Sequence, residues 1–170
     1  MNKKTIYFAG GCFWGVQKFF DQFTGVIETE AGYANGEKPD PSYFDVCHAS
    51  GHAETVKVVY DADIISLEDL LKYYFMVIDP VSYNRQGADS GIQYRTGIYY
   101  TDNADLPVIE KYYNELEQEE VRRSGEYFAV ELEPLKNFYP AEAEHQKYLE
   151  KNPGGYCHIF SKYFDLEVNK

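Results

Sequence analysis

A short apolar strand that runs straight into a glycine-rich turn, and from there into an amphipathic segment, constrains this chain more than any other feature. Thr5 to Ala9 reads as the strand, Gly10-Gly11-Cys12-Phe13-Trp14-Gly15 as the turn, and Val16 to Phe23 as a helix. A cysteine so placed lies near the first turn of the helix, where unpaired backbone N–H groups and the macrodipole favour an anion. The thiolate is such an anion, and it is the nucleophilic form of cysteine. The flanking glycines let the atoms of another molecule approach the backbone closely. Phe13 and Trp14, the only tryptophan, are large apolar residues at a turn where polar ones would cost less. An isolated cysteine reads as a small buried hydrophobe. Glycines and aromatics packed around this thiol make Cys12 a candidate nucleophile instead.

Further along, Val26 to Tyr33 reads as a second strand and Ala53 to Tyr60, with Val56 and Val58 alternating with Thr55 and Lys57, as a third. Ser66 reads as an N-cap with Asp69 three residues on. It opens a helix whose Leu67, Leu70, Leu71, Tyr74 and Phe75 share a face, and which Asp79-Pro80 ends. Gln93 to Tyr100 is expected to be a fourth strand, Asp105 to Arg123 a long charged helix, Tyr127 to Leu132 a fifth strand and Ala141 to Glu150 helical. The leading order of strand, helix, strand, strand, helix, strand predicts an α+β fold. It would be a two-layer sandwich with a split βαβ, ferredoxin-like core and helices on one face of the sheet. No linker or repeat interrupts it. Residues 1–170 are therefore read as a single catalytic domain, with a C-terminal tail from about residue 151, where Asn152-Pro153-Gly154-Gly155 breaks the last helix.

The net charge of -12 argues against nucleic-acid and anionic-membrane partners, since both would repel the chain. No stretch is long enough to span a bilayer. The basic start Asn2-Lys3-Lys4 precedes an apolar run that lacks a small-residue cleavage site, so a cytoplasmic location is expected. Three cysteines, an odd number, do not suit a purely structural disulfide framework. In a reducing compartment disulfides tend to be transient and catalytic.

Two long loops, residues 35–51 and 81–91, are too long to be spacers in a compact domain. The first holds Tyr43, Cys47 and His48, with His52 and Glu54 at the start of the strand that follows. The second holds Asn84, Arg85, Gln86 and Asp89 and leads to Tyr94; the tail offers His145, Cys157 and His158. Glu54 is unusual, because an apolar residue or threonine would be cheaper at the head of a buried strand. It is either an edge carboxylate in water or a carboxyl whose pKa burial raises, able to hold a proton near neutral pH. A metal site is disfavoured: there is no C-x₂-C pair, and adjacent Cys-His residues rarely chelate one ion together. A thiol hydrolase built on Cys12 with His52 or His145 remains open, as does a binding module for peptides.

Taken together, these segments resemble the A-type peptide methionine sulfoxide reductases along nearly the whole chain. The likeness rests on Gly10 to Gly15, on Pro41-Ser42-Tyr43 with Val46-Cys47, and on Gly51-His52-Ala53-Glu54-Thr55-Val56. It continues through Asp79-Pro80, Asn84-Arg85-Gln86-Gly87-Ala88-Asp89, Gly91-Ile92-Gln93-Tyr94-Arg95-Thr96, His145-Gln146, and Lys151-Asn152-Pro153 with Tyr156-Cys157. The resemblance implies reduction of the S epimer of methionine sulfoxide, free or in proteins. It makes Cys12 the nucleophile, Glu54 the proton donor and Cys157 the resolving thiol. Tyr43 and Tyr94 would bind the sulfoxide oxygen, Phe13 and Trp14 would enclose the substrate methyl, and Asp89 would be a further site residue. A sulfenic acid on Cys12 would be converted by a second thiol to a disulfide, which thioredoxin could reduce. The expected enzyme needs no cofactor or metal and works as a cytoplasmic monomer. Two departures stand out: the tail beyond Cys157 lacks a further cysteine, which suggests a two-cysteine cycle, and Glu144 stands where an aromatic is more usual. Cys47 is treated as a bystander to the cycle.

Overall fold

The computed structural model of the chain describes residues 1–166, so the last four residues of the expected tail lie outside the described residues. In chain order the first elements are β1 (Lys3–Gly10), α1 (Phe13–Asp21), β2 (Val26–Ala34), α2 (Tyr43–Cys47), β3 (Ala53–Asp61) and α3 (Leu67–Val77). There follow a small hairpin of β4 (Arg85–Gln86) and β5 (Asp89–Ser90), then β6 (Thr96–Tyr100), α4 (Asp105–Ser124), β7 (Glu131–Pro134), β8 (Phe138–Pro140) and α5 (Tyr148–Lys151). Six strands make one sheet in the order β7-β6-β1-β3-β2-β8. Its central four, β6-β1-β3-β2, each run antiparallel to their neighbours, and each βαβ unit straddles an intervening strand. That is the split βαβ, ferredoxin-like core the element order predicts. β7 extends it in parallel beside β6, and β8 antiparallel beside β2.

Period-two alternation sorts the sheet's two faces. Phe8 is opposite Val56 and Ile98, and Val56 in turn is opposite Ala31, so these side chains share a face. Against that face pack Val16, Phe19 and Phe20 of α1 and Leu70, Leu71 and Tyr74 of α3, with Ile109 of α4 joining them. On the other face Tyr7, Ala9, Ala34, Ala53 and Tyr99 form a smaller cluster, covered by Leu135 and Phe138 instead of a helix. Among the described residues no helix is long and apolar enough to cross a membrane.

One core hydroxyl fixes the end of β1. Tyr74, wholly buried, donates to the Ala9 carbonyl at 2.7 Å and accepts from the Gly97 N–H at 3.1 Å, where β1 and β6 part before the glycine turn. Tyr74→Phe strands both backbone groups in the core. It is expected to cost about 1–3 kcal/mol, read as a lower urea midpoint with an unchanged slope.

The structure departs from the expected elements in several places. The helix after the first strand starts at Phe13, not Val16, so Cys12 is its N-cap. The fourth strand begins at Thr96 and not Gln93, because Ile92–Tyr94 winds into a 3₁₀ turn. The fifth pairs only from Glu131, after Ala129 has bonded the Pro80 carbonyl at 2.6 Å. The expected helix from Ala141 to Glu150 is two short turns, Ala143–His145 and Tyr148–Lys151, broken at Lys147 with φ 53°.

Candidate active site

Cys12 sits where β1 gives way to α1. Gly11 turns the chain with φ 88°, and a Cβ there would lie 2.7 Å from the Gln86 side chain, so glycine serves both the backbone angle and the packing. Gln86 itself is 3% exposed. It clips the second long loop to the end of α3, giving its amide N–H to the Asp79 carbonyl and taking the Asp79 N–H, both at 2.9 Å.

The electrostatics of Cys12 overturn the expectation that the helix terminus lowers its pKa. Burial pushes the thiol up, and the Glu54 charge pushes it further; the backbone N–H of Trp14 is the opposing influence. Cys12 is 7% exposed and its side chain makes no capping hydrogen bond by distance and angle, so that opposing contact is weak. Desolvation outweighs the macrodipole here.

Glu54 resolves the choice between an edge carboxylate and a buried acid in favour of the latter. It lies one residue into β3, opposite Tyr33, on the face that carries Val56 and Val58, and is 1% exposed. Oε1 accepts the Phe13 N–H at 3.2 Å, while Oε2 is buried without a protein partner. Burial raises its pKa to about 8, against the Phe13 hydrogen bond and aided by the Asp89 charge. The carboxyl is thus protonated at neutral pH and tied by one hydrogen bond to the turn that carries the thiol. Its neutrality also removes the repulsion that a charged Glu54 would exert on a Cys12 thiolate.

Tyr43 and Tyr94 come to the same place from the two loops. Tyr43 opens α2, a helix of five residues whose Ser42-x-x-Asp45 forms a capping box, with Ser42 Oγ accepting from Asp45 N. The motif is legible in the sequence, which nonetheless reads as loop because the helix is a single turn. Burial raises the hydroxyl pKa of Tyr43 and of Tyr94, and the Glu54 charge is the next cause for both. Asp89 completes the group and accepts the Tyr156 hydroxyl at 2.9 Å, which joins the second loop to the tail. Cys47 is not remote: it lies beside the Tyr43 hydroxyl, and burial pushes its thiol pKa up.

The two aromatics of the turn divide. Phe13, 1% exposed, belongs to the core, its ring tilted against Tyr33 and His145 at 5.7 Å. Trp14 is half-buried, stacked on Tyr148 at 3.7 Å, and gives its indole N–H to His145 Nδ1 at 3.2 Å. His145 also packs on the Tyr43 ring at 4.5 Å, so it supports the wall of the site through two of its members. Glu142, part of the Ala141-Glu142 match to the family but given no role from the sequence, accepts from the Tyr33 hydroxyl at 2.8 Å and from the Tyr43 N–H at 3.1 Å.

Cys157 reaches the same turn from the tail. A Cβ on Gly15 would lie 3.0 Å from its sulfur, so only glycine in the first turn of α1 lets this thiol in. The thiol is half-buried and donates to the Ile159 carbonyl at 3.5 Å. All three cysteines are free.

Comparison with known proteins gives one consistent answer. The sequence model of the family described as peptide methionine sulfoxide reductase matches residues 4–170. A relative from Lachnoclostridium phytofermentans, named peptide methionine sulfoxide reductase MsrA, is 53% identical over 170 residues, 99% of each chain. Methionine sulfoxide reductase A of Corynebacterium diphtheriae superposes with a TM-score of 0.87 at 34% identity, covering 92% of this chain and 78% of that one. Mxr1 of Saccharomyces cerevisiae, in a crystal structure of its complex with Trx2, gives a TM-score of 0.58 at 28% identity, covering 86% of this chain and 85% of that one.

Proposed function

This chain belongs to the peptide methionine sulfoxide reductase family and is an oxidoreductase for peptide-methionine (S)-S-oxide, and from that premise we propose a two-thiol cycle on Cys12 and Cys157. The observation that carries it is the Glu54 carboxyl, 1% exposed and holding the Phe13 N–H at 3.2 Å next to Cys12, where burial raises its pKa.

Sulfoxide oxygen leaves poorly until it is protonated. Glu54 supplies that proton, and the hydroxyls of Tyr43 and Tyr94 hold the oxygen as charge develops on it. Trp14, with the edge of the apolar core at Phe13, encloses the substrate methyl. Asp89 keeps the Tyr156 end of the tail over the site. The S–O bond of the substrate breaks and the oxygen ends on the Cys12 sulfur as sulfenic acid. Methionine gains the two electrons that Cys12 loses. Cys157, held at the first turn of α1, then attacks the oxidised sulfur. A thioredoxin-like dithiol reduces the disulfide, a partner supported by the complex of the yeast relative with Trx2. The chemistry uses thiols throughout and needs no further redox group.

The test is turnover with two reductants. Cys157→Ser is expected to release one equivalent of methionine and then stall with thioredoxin, while dithiothreitol sustains slower turnover. Mass spectrometry of substrate-oxidised wild type is expected to show Cys12 joined to Cys157. A bridge from Cys12 to Cys47, together with full thioredoxin activity of Cys157→Ser, would overturn the cycle. Release of product from an ester or amide with no reductant would indicate a hydrolase.

A further inference from the structure

We propose that His158 is a positioning residue for the second half of the cycle: it holds the Cys157 thiol at the first turn of α1, ready for the oxidised Cys12. The proposal rests on Cys157 being the resolving thiol. His158 is the next residue in the chain, and its ring fills a slot made by three glycines. A Cβ on Gly11 would lie 3.0 Å from Nε2, one on Gly15 3.5 Å from Cε1, and one on Gly87 3.3 Å from the His158 Cβ. At the end of the slot Nε2 meets the Gly10 carbonyl at 2.9 Å. A carbonyl only accepts, so Nε2 carries the proton and Nδ1 is a lone pair. That Nδ1 is buried without a hydrogen-bond partner among the described residues.

A slot walled by glycine backbone would take a leucine or phenylalanine without stranding a polar atom. The imidazole leaves one nitrogen unpaired, so its bond to Gly10, two residues before Cys12, is what the apolar side chains could not supply. Two residues after Cys157, Ile159 is 6% exposed and sits in the main core. Before Cys157, the Tyr156 hydroxyl bonds Asp89 at 2.9 Å, so Cys157 is pinned between two anchored neighbours, Tyr156 and His158, after the Gly154-Gly155 break, with its sulfur against Gly15. In the step so prepared, Cys157 gives up its proton and its sulfur bonds to the Cys12 sulfur. The Cys12 S–O bond breaks, and the oxygen leaves as water with that proton. The disulfide retains the oxidation that the substrate brought.

The experiment separates the two half-reactions. Reduced full-length protein is mixed with one equivalent of methionine sulfoxide and quenched over time with dimedone, which traps sulfenic acid. Methionine, dimedone-tagged Cys12 and the Cys12–Cys157 disulfide are then quantified by mass spectrometry. His158→Ala is expected to release methionine within about twofold of the wild-type rate and to form the disulfide about ten- to a hundredfold more slowly, so that tagged Cys12 accumulates. His158→Gln, whose amide N–H can reach the Gly10 carbonyl, is expected to recover most of the lost rate. Should His158→Ala fold poorly, His158→Asn, polar but too short for that bond, gives the same readout. Disulfide formation at the wild-type rate in His158→Ala, equal slowing of both steps, or no rescue by glutamine would each overturn the positioning role. Cys157→Ser in parallel checks the premise: a disulfide that still forms in that variant means that another thiol resolves Cys12, whatever His158 does.

Discussion

Cys12→Ser is expected to abolish reduction of methionine sulfoxide while leaving the fold in place. The loss follows from what each side chain can become. A cysteine sulfur can take the substrate's oxygen and hold it as sulfenic acid, whereas a serine oxygen would have to form an O–O bond. The hydroxyl also has no accessible anion near neutral pH. Structural damage is expected to be small, because Cys12 makes no capping hydrogen bond and serine is close to it in size. Single-turnover methionine release with excess dithiothreitol reads the activity, and the urea midpoint reads the fold. A residual rate above about one tenth of wild type would rule out Cys12 as nucleophile.

Glu54→Gln is expected to slow methionine release about 10²–10⁴-fold, the range for losing a general acid, and yet to stabilise the protein at neutral pH. The opposite signs have one cause. Burial lifts the carboxyl from 4.5 to about 8, so between these values the folded chain holds a proton that the unfolded chain has released. Stability contributed by Glu54 is therefore full below about 4.5 and declines by about 1.4 kcal/mol per pH unit as pH rises toward 8. Glutamine keeps the oxygen that accepts the Phe13 N–H and does not titrate. The variant is expected to match wild type at pH 4 and to exceed it by about 1–3 kcal/mol at pH 7.5. In the wild-type enzyme the rate of the first step is expected to fall as pH rises through about 8, where Glu54 would lose its proton. A wild-type-like rate in Glu54→Gln, within about threefold at the pH optimum, would make the carboxyl structural.

The parts of this protein legible in its sequence are those set by local chemistry. Ser66 and Asp69 form the capping box they spell, and the alternation around Val56 and Val58 places Glu54 on the helix-covered face. What stayed illegible depends on partners far away in the chain. Residues 141–150 read as a helix, but the Gln146 side chain pairs with both backbone groups of Ala31, at 2.9 and 2.7 Å, and Gln17 takes the Lys147 N–H at 2.9 Å. Those bonds outweigh helix propensity. The Cys12 thiol is raised for a similar reason: a motif shows the helix terminus next to it but not the depth of its burial or the charge of Glu54. His158 carried no signal beyond lying next to Cys157.

Those same bonds to β2 bear on how the molecule meets damaged polypeptides. The outer edge of a sheet is a template on which a foreign strand can add, and such addition leads to aggregation. Along β2 part of that template is occupied. Gln17 approaches the Thr29 carbonyl at 3.4 Å, Gln146 takes both groups of Ala31, and β8 covers Gly32 to Ala34 before ending at Pro140. At the opposite edge β7 is four residues long, carries Glu131 and Glu133 and ends at Pro134, which has no N–H to offer. A reductase that acts on methionine sulfoxide within polypeptides would meet partly unfolded chains with strands to spare. With both borders of its sheet short or partly occupied in this way, the molecule offers a stray strand few free backbone groups on which to add.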